Sequence, residues 1–315
     1  MKHDSFTQMV KDEIASYEYT NEEYLPLLSG FVKTNGVISI SQRKFNLSLQ
    51  TENSKIAKLI YRCFISLFNI TPVFSYSKKM KLDKCVVYHL KITEHVEEIL
   101  KTLQLYQGLQ KLQPKEIIEN DLARYFIAGT FLASGSVNPP SSSNYHLQMI
   151  VSDEEDAKFL IRILNRFKNE RNMDFKYIAR RNKFVVYLKK ADQITIFLAL
   201  VNASYSMMEF ENSRIEKDYI NSENRYQICF NANFQKMMQK SNEQIEDITY
   251  LQKEYGLVRL SEKEQLLAKA RLENPEAPLS TLVEVLKEKG ISISKSGASR
   301  IFTKFHDLVN SLRSH

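Results

Sequence analysis

Two stretches decide the fold: LLSGFVKTNG, residues 27–36, and FIAGTFLASG, residues 126–135. Both are apolar. Each carries a small residue followed by glycine in mid-segment, Ser29-Gly30 and Ala128-Gly129, and each ends on a second glycine, Gly36 and Gly135. The chain has only 8 glycines in 315 residues, so their concentration here needs a cause. Mid-helix glycine costs roughly 0.5–1 kcal/mol against alanine. A second backbone at close range is the usual compensation. The two segments are therefore expected to be helices that pack on each other through Gly30 and Gly129, about a pseudo-two-fold axis. The residue before each final glycine is polar and uncharged, Asn35 and Ser134.

The similarity extends outward from these segments. FNLSLQTENSKIAKLI (45–60) is followed in kind by YHLQMIVSDEEDAKFLI (145–161), KCVVYHLK (84–91) by KFVVYLKK (183–190), and TEHVEEIL (93–100) by ADQITIFL (191–198). Four matches in one order at nearly constant spacing argue for duplication of a unit of roughly 100 residues. Each unit reads helix, strand, strand, helix, strand, strand, helix. In the first, Tyr24–Asn35 is apolar on most faces. VISI and FNLSLQ alternate as strands, and Asn53–Leu67 has helical periodicity. VFSYS and CVVYHLKI flank a lysine-rich hairpin, KKMKLDK, and Thr93–Leu103 closes the unit. Helices mixed with antiparallel strands imply an α+β domain.

Composition restricts the function. A hydrophobic share of 43% and a charged share of 26% are ordinary for a soluble protein. The net charge of +7 favours an anionic partner, nucleic acid first. Cys63, Cys85 and Cys229 form no CxxC pair, which suggests reduced thiols and a cytoplasmic location. The six histidines show no HxxxH spacing, so neither a metal nor another cofactor is expected. The start, MKHDSFTQMVKDEIASYE, is charged throughout and is no signal peptide. No apolar run of about 18 residues offers a membrane span.

From Ser261 three further helices are readable. SEKEQLLAKARLENP opens with a capping box, Ser261 to Glu264, and stops at Pro275. TLVEVLKEKG shows a second box, Thr281 to Glu284, and stops at Gly290. ISIS forms a turn. KSGASRIFTKFHDLVNSLRSH is the third helix, with Ile301, Phe302, Phe305, Leu308 and Val309 spaced for burial. This is the order of a helix-turn-helix, its third helix the recognition helix. Ser294, Lys295, Ser296, Ser299 and Arg300 stand at its N-terminal end and Lys304 one turn on. Helix-start amides suit a phosphate, and arginine can read guanine.

The two glycine segments resemble the helix motif of LAGLIDADG homing endonucleases. Four more stretches, SFTQMVKDEI, AGTFLASGSVNPP…YHLQM, NSENRYQICFNANFQKMMQKSNEQI (221–245) and ISISKSGAS, resemble the WhiA family of bacterial transcription regulators, in order along essentially the whole chain. The resemblance implies a pseudo-two-fold duplicated LAGLIDADG-like domain with four-stranded antiparallel sheets forming a saddle, joined to a C-terminal all-α helix-turn-helix domain. The expected boundaries are 1–210 for the first domain (units about 1–103 and 104–210), 211–255 for a helical linker and 256–315 for the helix-turn-helix. Asn221, Asn224, Arg225, Asn231 and Asn233 match the family's linker signature. The family is linked to cell division, chromosome organisation and, in some bacteria, sporulation. The implied partners are double-stranded operator DNA and the transcription machinery. WhiA proteins usually continue SKSG-A with Asn-His-Arg. This chain has Ser299, Arg300 and Ile301 there, so its preferred DNA sequence is expected to differ.

In LAGLIDADG enzymes the last acidic residue of each motif holds divalent metal at the scissile phosphates. The matching residues here are Asn35 and Ser134, and the earlier acidic positions are Lys33 and Leu132. Hard cations need anionic oxygen. The resemblance therefore implies a non-enzyme, with no catalytic residues. Two alternatives stay open: an endonuclease with a rearranged site using Asp121 or Glu52, and a structural nucleoid or RNA-binding protein. A small-molecule pocket in the former active site is a further option. Arg166, Lys168, Arg171, Lys176, Arg180, Arg181, Lys183, Lys189 and Lys190, with Arg43, Lys44, Lys78, Lys79, Lys81 and Lys84, fit either a phosphate-contacting saddle, with Tyr76, Tyr88, Tyr177 and Tyr187 nearby, or a solvated lysine-rich surface.

Overall fold

The structure is a computed structural model that describes residues 5–41, 44–79, 85–167 and 173–314. Contacts divide the chain into Met1–Lys217 and Asp218–His315.

In the first part, α1 (Phe6–Ser16) precedes a duplicated unit. The first copy is α2 (Asn21–Asn35), β1 (Val37–Ser41), β2 (Lys44–Thr51), α3 (Ser54–Phe68), β3 (Val73–Lys79), β4 (Cys85–Ile92) and α4 (Val96–Thr102). A short hairpin, β5 (Tyr106–Gln107) and β6 (Gln110–Lys111), leads into the second copy. That copy is α5 (Ala123–Ser134), β7 (Ser136–Val137), β8 (Leu147–Val151), α6 (Glu154–Leu164), β9 (Lys176–Arg180), β10 (Lys183–Leu188) and α7 (Ala191–Leu200). The two four-stranded sheets are antiparallel, ordered β1-β2-β4-β3 and β7-β8-β10-β9. The repeat anticipated from the sequence is thus a repeat of topology. α2 starts earlier than its apolar run because a capping box, Thr20 with Glu23, recruits polar residues into the first turn.

α2 and α5 form the seam. A Cβ on Gly30 would lie 2.2 Å from the Phe126 carbonyl oxygen, and one on Gly129 would lie 2.0 Å from that of Leu27. Leu27, Leu28, Phe31, Phe126, Ile127, Phe131 and Leu132 are buried around the crossing and join the core under both sheets. α1 ties this core together. Phe6, Val10 and Ile14 are buried. The Thr7 hydroxyl donates to Val137 O (2.8 Å) and accepts from Val137 N (2.9 Å) on the edge strand β7.

A long helix, α8 (Ser204–Glu254), covers the stretch read as a polar linker. The second part of the chain packs the end of α8 with α9 (Glu262–Glu273), α10 (Leu279–Glu288) and α11 (Lys295–Arg313) around Ile248, Leu251, Leu267, Leu282, Leu286, Phe302, Phe305 and Val309. The capping box at Ser261–Glu264 is present. The one expected at Thr281–Glu284 is not: α10 already begins at Leu279, with Pro278 at the N-cap. The proline's fixed φ of −63° suits that position, and the early start turns Leu279 toward the apolar cluster. Gly290 has φ +84°, the left-handed conformation that ends α10.

Candidate nucleic-acid interface

Asn35 and Ser134 occupy equivalent places at the ends of the seam helices. Asn35 Oδ1 accepts from Gln50 N at 3.0 Å, and Ser134 Oγ accepts from Ile150 N at 3.0 Å. Strand pairing runs Val37↔Ser48 in one sheet and Ser136↔Gln148 in the other. Each side-chain oxygen therefore accepts where the edge strand's next carbonyl would have stood. Lys33, at the earlier motif position, is buried against Asp156, Nζ to Oδ1 2.9 Å. Lys111 joins from β6, 2.5 Å from Asp153 and 2.7 Å from Asp156. Burial lowers the Lys33 pKa, and the charge and hydrogen bond of Asp156 offset part of that. Burial pushes Asp153 up, but the bonds from Lys111 and from the Asp156 N–H outweigh it, and the net shift is downward. Among the described residues no group of three His, Cys, Asp or Glu side chains is placed to hold a metal ion.

The pleat sorts the expected saddle residues. In the second sheet Leu147, Met149, Val186 and Leu188 face the core. By alternation the opposite face presents Gln148, Tyr187, Lys176, Arg180 and Lys183. Arg180 and Lys183 are cross-strand partners, and Arg181, with φ +51°, forms the hairpin tip between them. His146 stacks on Tyr187 with ring centroids 5.8 Å apart. In the first sheet the corresponding face carries Asn46, Ser48, Gln50, His89 and Lys91. Tyr76, Tyr88 and Tyr177 do not belong to it. They alternate onto the core side, where Tyr88 stacks on Phe74 and the Tyr177 hydroxyl donates to Glu154 (3.1 Å). Arg166 is also withdrawn, donating to the Ile118 carbonyl oxygen at 2.7 Å. Arg43, Lys81, Lys84, Lys168 and Arg171 lie outside the described residues.

In the C-terminal part, α11 is seated by Ala298, Phe302, Phe305 and Val309, all buried. That leaves Lys295, Ser296, Ser299 and Arg300 exposed on its first two turns. Ser294 is the N-cap: its hydroxyl accepts from Gly297 N (3.1 Å) and meets Ser296 Oγ at 3.0 Å. Lys304, also exposed, pairs with the buried Glu264, its Nζ 2.6 Å from Oε1. Burial alone would raise the Glu264 pKa, but the bonds from Lys304 and from Ser261 leave it lowered. Arg271, only 2% exposed, receives no role from sequence. A lone arginine in AKARLEN reads as a solvated helix residue, and only the fold reveals its burial.

Residues 22–106 match the WhiA N-terminal LAGLIDADG-like domain, 123–219 the WhiA LAGLIDADG-like domain, and 224–309 the WhiA C-terminal HTH domain. The chain is 37% identical over 313 residues to a probable cell division protein WhiA of Lactobacillus acidophilus, covering 98% of this chain and 99% of that protein. It is 34% identical over 312 residues to its counterpart in Enterococcus faecalis, covering 98% of each. The crystal structure of full-length DUF199/WhiA from Thermatoga maritima shares the fold, with TM-score 0.58 and 19% identity over 98% of both chains. Fold, repeat and sequence agree: the chain belongs to the WhiA family.

Proposed function

We propose that the protein is a sequence-specific, DNA-binding transcription regulator that does not cleave DNA. The observation that carries this reading is α11: a helix fixed by four buried side chains, presenting Lys295, Ser296, Ser299 and Arg300 to solvent at its N-terminal end. That geometry suits a recognition helix, whose first turns meet base edges in the major groove. The outward face of the second sheet, with Arg180, Arg181 and Lys183, is assigned to phosphate contacts. The division of labour follows residues 256–315 for reading and 1–210 for general affinity. Loss of the nuclease rests on Asn35 and Ser134, whose oxygens are uncharged and already accept strand N–H groups. The name carried by the relatives supports a role in cell division, and DNA binding implies association with the nucleoid. Genome-wide binding with footprinting of the recovered fragments tests the proposal. Discrete protected sites upstream of genes are expected. Uniform coverage without protected sites would leave a structural nucleoid protein instead.

A further inference from the structure

Beside the start of α11 lies a cleft of about 390 Å³, walled by Lys236, Lys240 and Gln244 of α8, Arg271 of α9, Leu279 of α10 and Lys295. Its central charge is unusual. The Arg271 guanidinium donates through Nε to Gln244 Oε1 (3.0 Å) and through Nη1 to the carbonyl oxygens of Ala277 (2.6 Å) and Asn274 (3.4 Å). The Phe302 ring lies 5.7 Å from it. All these partners are neutral. Among the described residues no carboxylate is within ion-pair distance of this buried cation, and burial alone lowers its pKa. A buried charge without a counter-charge is costly. Glu243 is the acidic residue in the wall, and Gln239 binds its carboxylate at 3.2 Å. Lys236, Lys240 and Lys295 are exposed and add three further positive charges.

Backbone donors complete the site. Pro278 caps α10 without a side-chain acceptor, while its own carbonyl accepts from Thr281 and Leu282. The N–H groups of Leu279 and Ser280 are thus left without an acceptor among the described residues. Helix-start amides beside a cluster of cations make an anion site, and a tetrahedral phosphate accepts from guanidinium, ammonium and amide together.

We propose that this cleft is a phosphate-binding site and that it holds a backbone phosphodiester of DNA bound alongside α11. The assignment to DNA rests on the DNA-binding reading above. Lys295 decides the source: it belongs both to the cleft wall and to the first turn of the recognition helix. A duplex entered by α11 runs its backbone past this residue. α8 thereby becomes part of the DNA interface through Lys236 and Lys240.

The test is anisotropy titration of the full-length chain against a labelled duplex over a series of salt concentrations. The double variant Lys236→Gln/Lys240→Gln removes exposed side chains and should leave the fold intact. Its log K against log salt slope should be shallower by about 0.9, the loss of one phosphate contact. The affinity should drop about tenfold on operator and random DNA alike. A charge-matched control, Lys263→Gln/Lys287→Gln, should keep the wild-type slope. Arg271→Gln, checked first for an unchanged melting transition, should reproduce the lysine result. Wild-type binding with an unmoved slope in the cleft variants overturns this site alone. A wild-type chain that binds no duplex overturns the DNA reading with it. A cleft that is stabilised by inorganic pyrophosphate, with the DNA slope unmoved, holds a free phosphate and refutes the assignment to DNA.

Discussion

The carbonyl oxygen of Phe126 occupies the space that a side chain on Gly30 would need: an added Cβ would stand 2.2 Å away. The relationship is reciprocal, since Gly129 faces the Leu27 carbonyl oxygen at 2.0 Å. The obstacle on each side is backbone, which cannot rotate away. Gly30→Ala and Gly129→Ala should each lose about 1–3 kcal/mol through overpacking, and Gly30→Leu more. Denaturant unfolding measures it. Unchanged midpoints in both alanine variants would show that the helices can separate without cost.

The seam is legible in the sequence because glycine inside an apolar helix is costly unless a second backbone packs against it. The strands are legible because their alternation is clean. Side-chain commitments are not. Lys304 reads as one more basic residue near a helix start, and only the fold brings buried Glu264 to it. Tyr76, Tyr88 and Tyr177 group by type with the basic hairpins, whereas the pleat assigns them to the core side. The Thr281–Glu284 pattern satisfies the rule for a cap, but with the partly buried Leu279 packed on the apolar cluster the N-cap falls three residues earlier, at Pro278. Arg271 is isolated only once α8, α9 and the turn before α10 converge on it.

Asn35 and Ser134 accept strand N–H groups through uncharged oxygens. Purified protein with Mg²⁺ or Mn²⁺ should leave plasmid DNA intact. Asn35→Ala should lose about 1 kcal/mol of stability by freeing the Gln50 N–H, while Asn35→Asp, which can still accept, should lose less. Metal-dependent nicking abolished by mutating Asp121 or Glu52 would contradict the inactive reading.

Glu13 reaches across from α1 to the start of α8, accepting from Tyr205 N at 2.7 Å and from Ser206 N at 2.8 Å. The carboxylate both satisfies open helix donors and complements the helix dipole. Glu13→Ala should lose roughly 1 kcal/mol, and Glu13→Gln somewhat less because the amide oxygen still accepts. Thermal melting of the two variants beside wild type tests the ranking. Equal melting temperatures for all three would mean that the cap contributes nothing to stability.

Lys11 shows a different cost. Burial beside the Phe131 ring, 6.0 Å from its ammonium, lowers the pKa from 10.5 to about 8, with Glu52 offsetting part of the shift. The folded state therefore binds fewer protons than the unfolded chain between pH 8 and 10.5, so this group makes stability rise with pH across that window. Below pH 8 the penalty is present in full. Lys11→Met should stabilise the protein at pH 7 by at most about 3 kcal/mol, the cost equivalent to that shift. The advantage should shrink as the pH approaches 10.5. Unfolding curves at pH 7 and pH 10 decide it, and a gain that did not shrink would assign the effect to packing rather than charge.

Reading DNA and holding it fall to different residues in this proposal. Base edges carry sequence information, whereas phosphate contacts supply register and affinity. Arg300 is exposed on the second turn of α11, above the buried Ala298 and Phe302, where a recognition helix meets bases. Arg180 and Lys183 lie instead on a sheet face, paired across strands. Arg300→Ala should therefore lose on the order of 1–3 kcal/mol of discrimination between operator and random DNA, as expected for a bidentate guanine contact. Arg180→Ala/Arg181→Ala should weaken binding to every sequence equally and flatten the salt dependence. Titrations of each variant on both DNAs, at several salt concentrations, distinguish the two behaviours. If Arg300→Ala weakened operator and random DNA by the same factor while the sheet variant lost discrimination, the assignment would reverse, and the duplicated domain would be the reader.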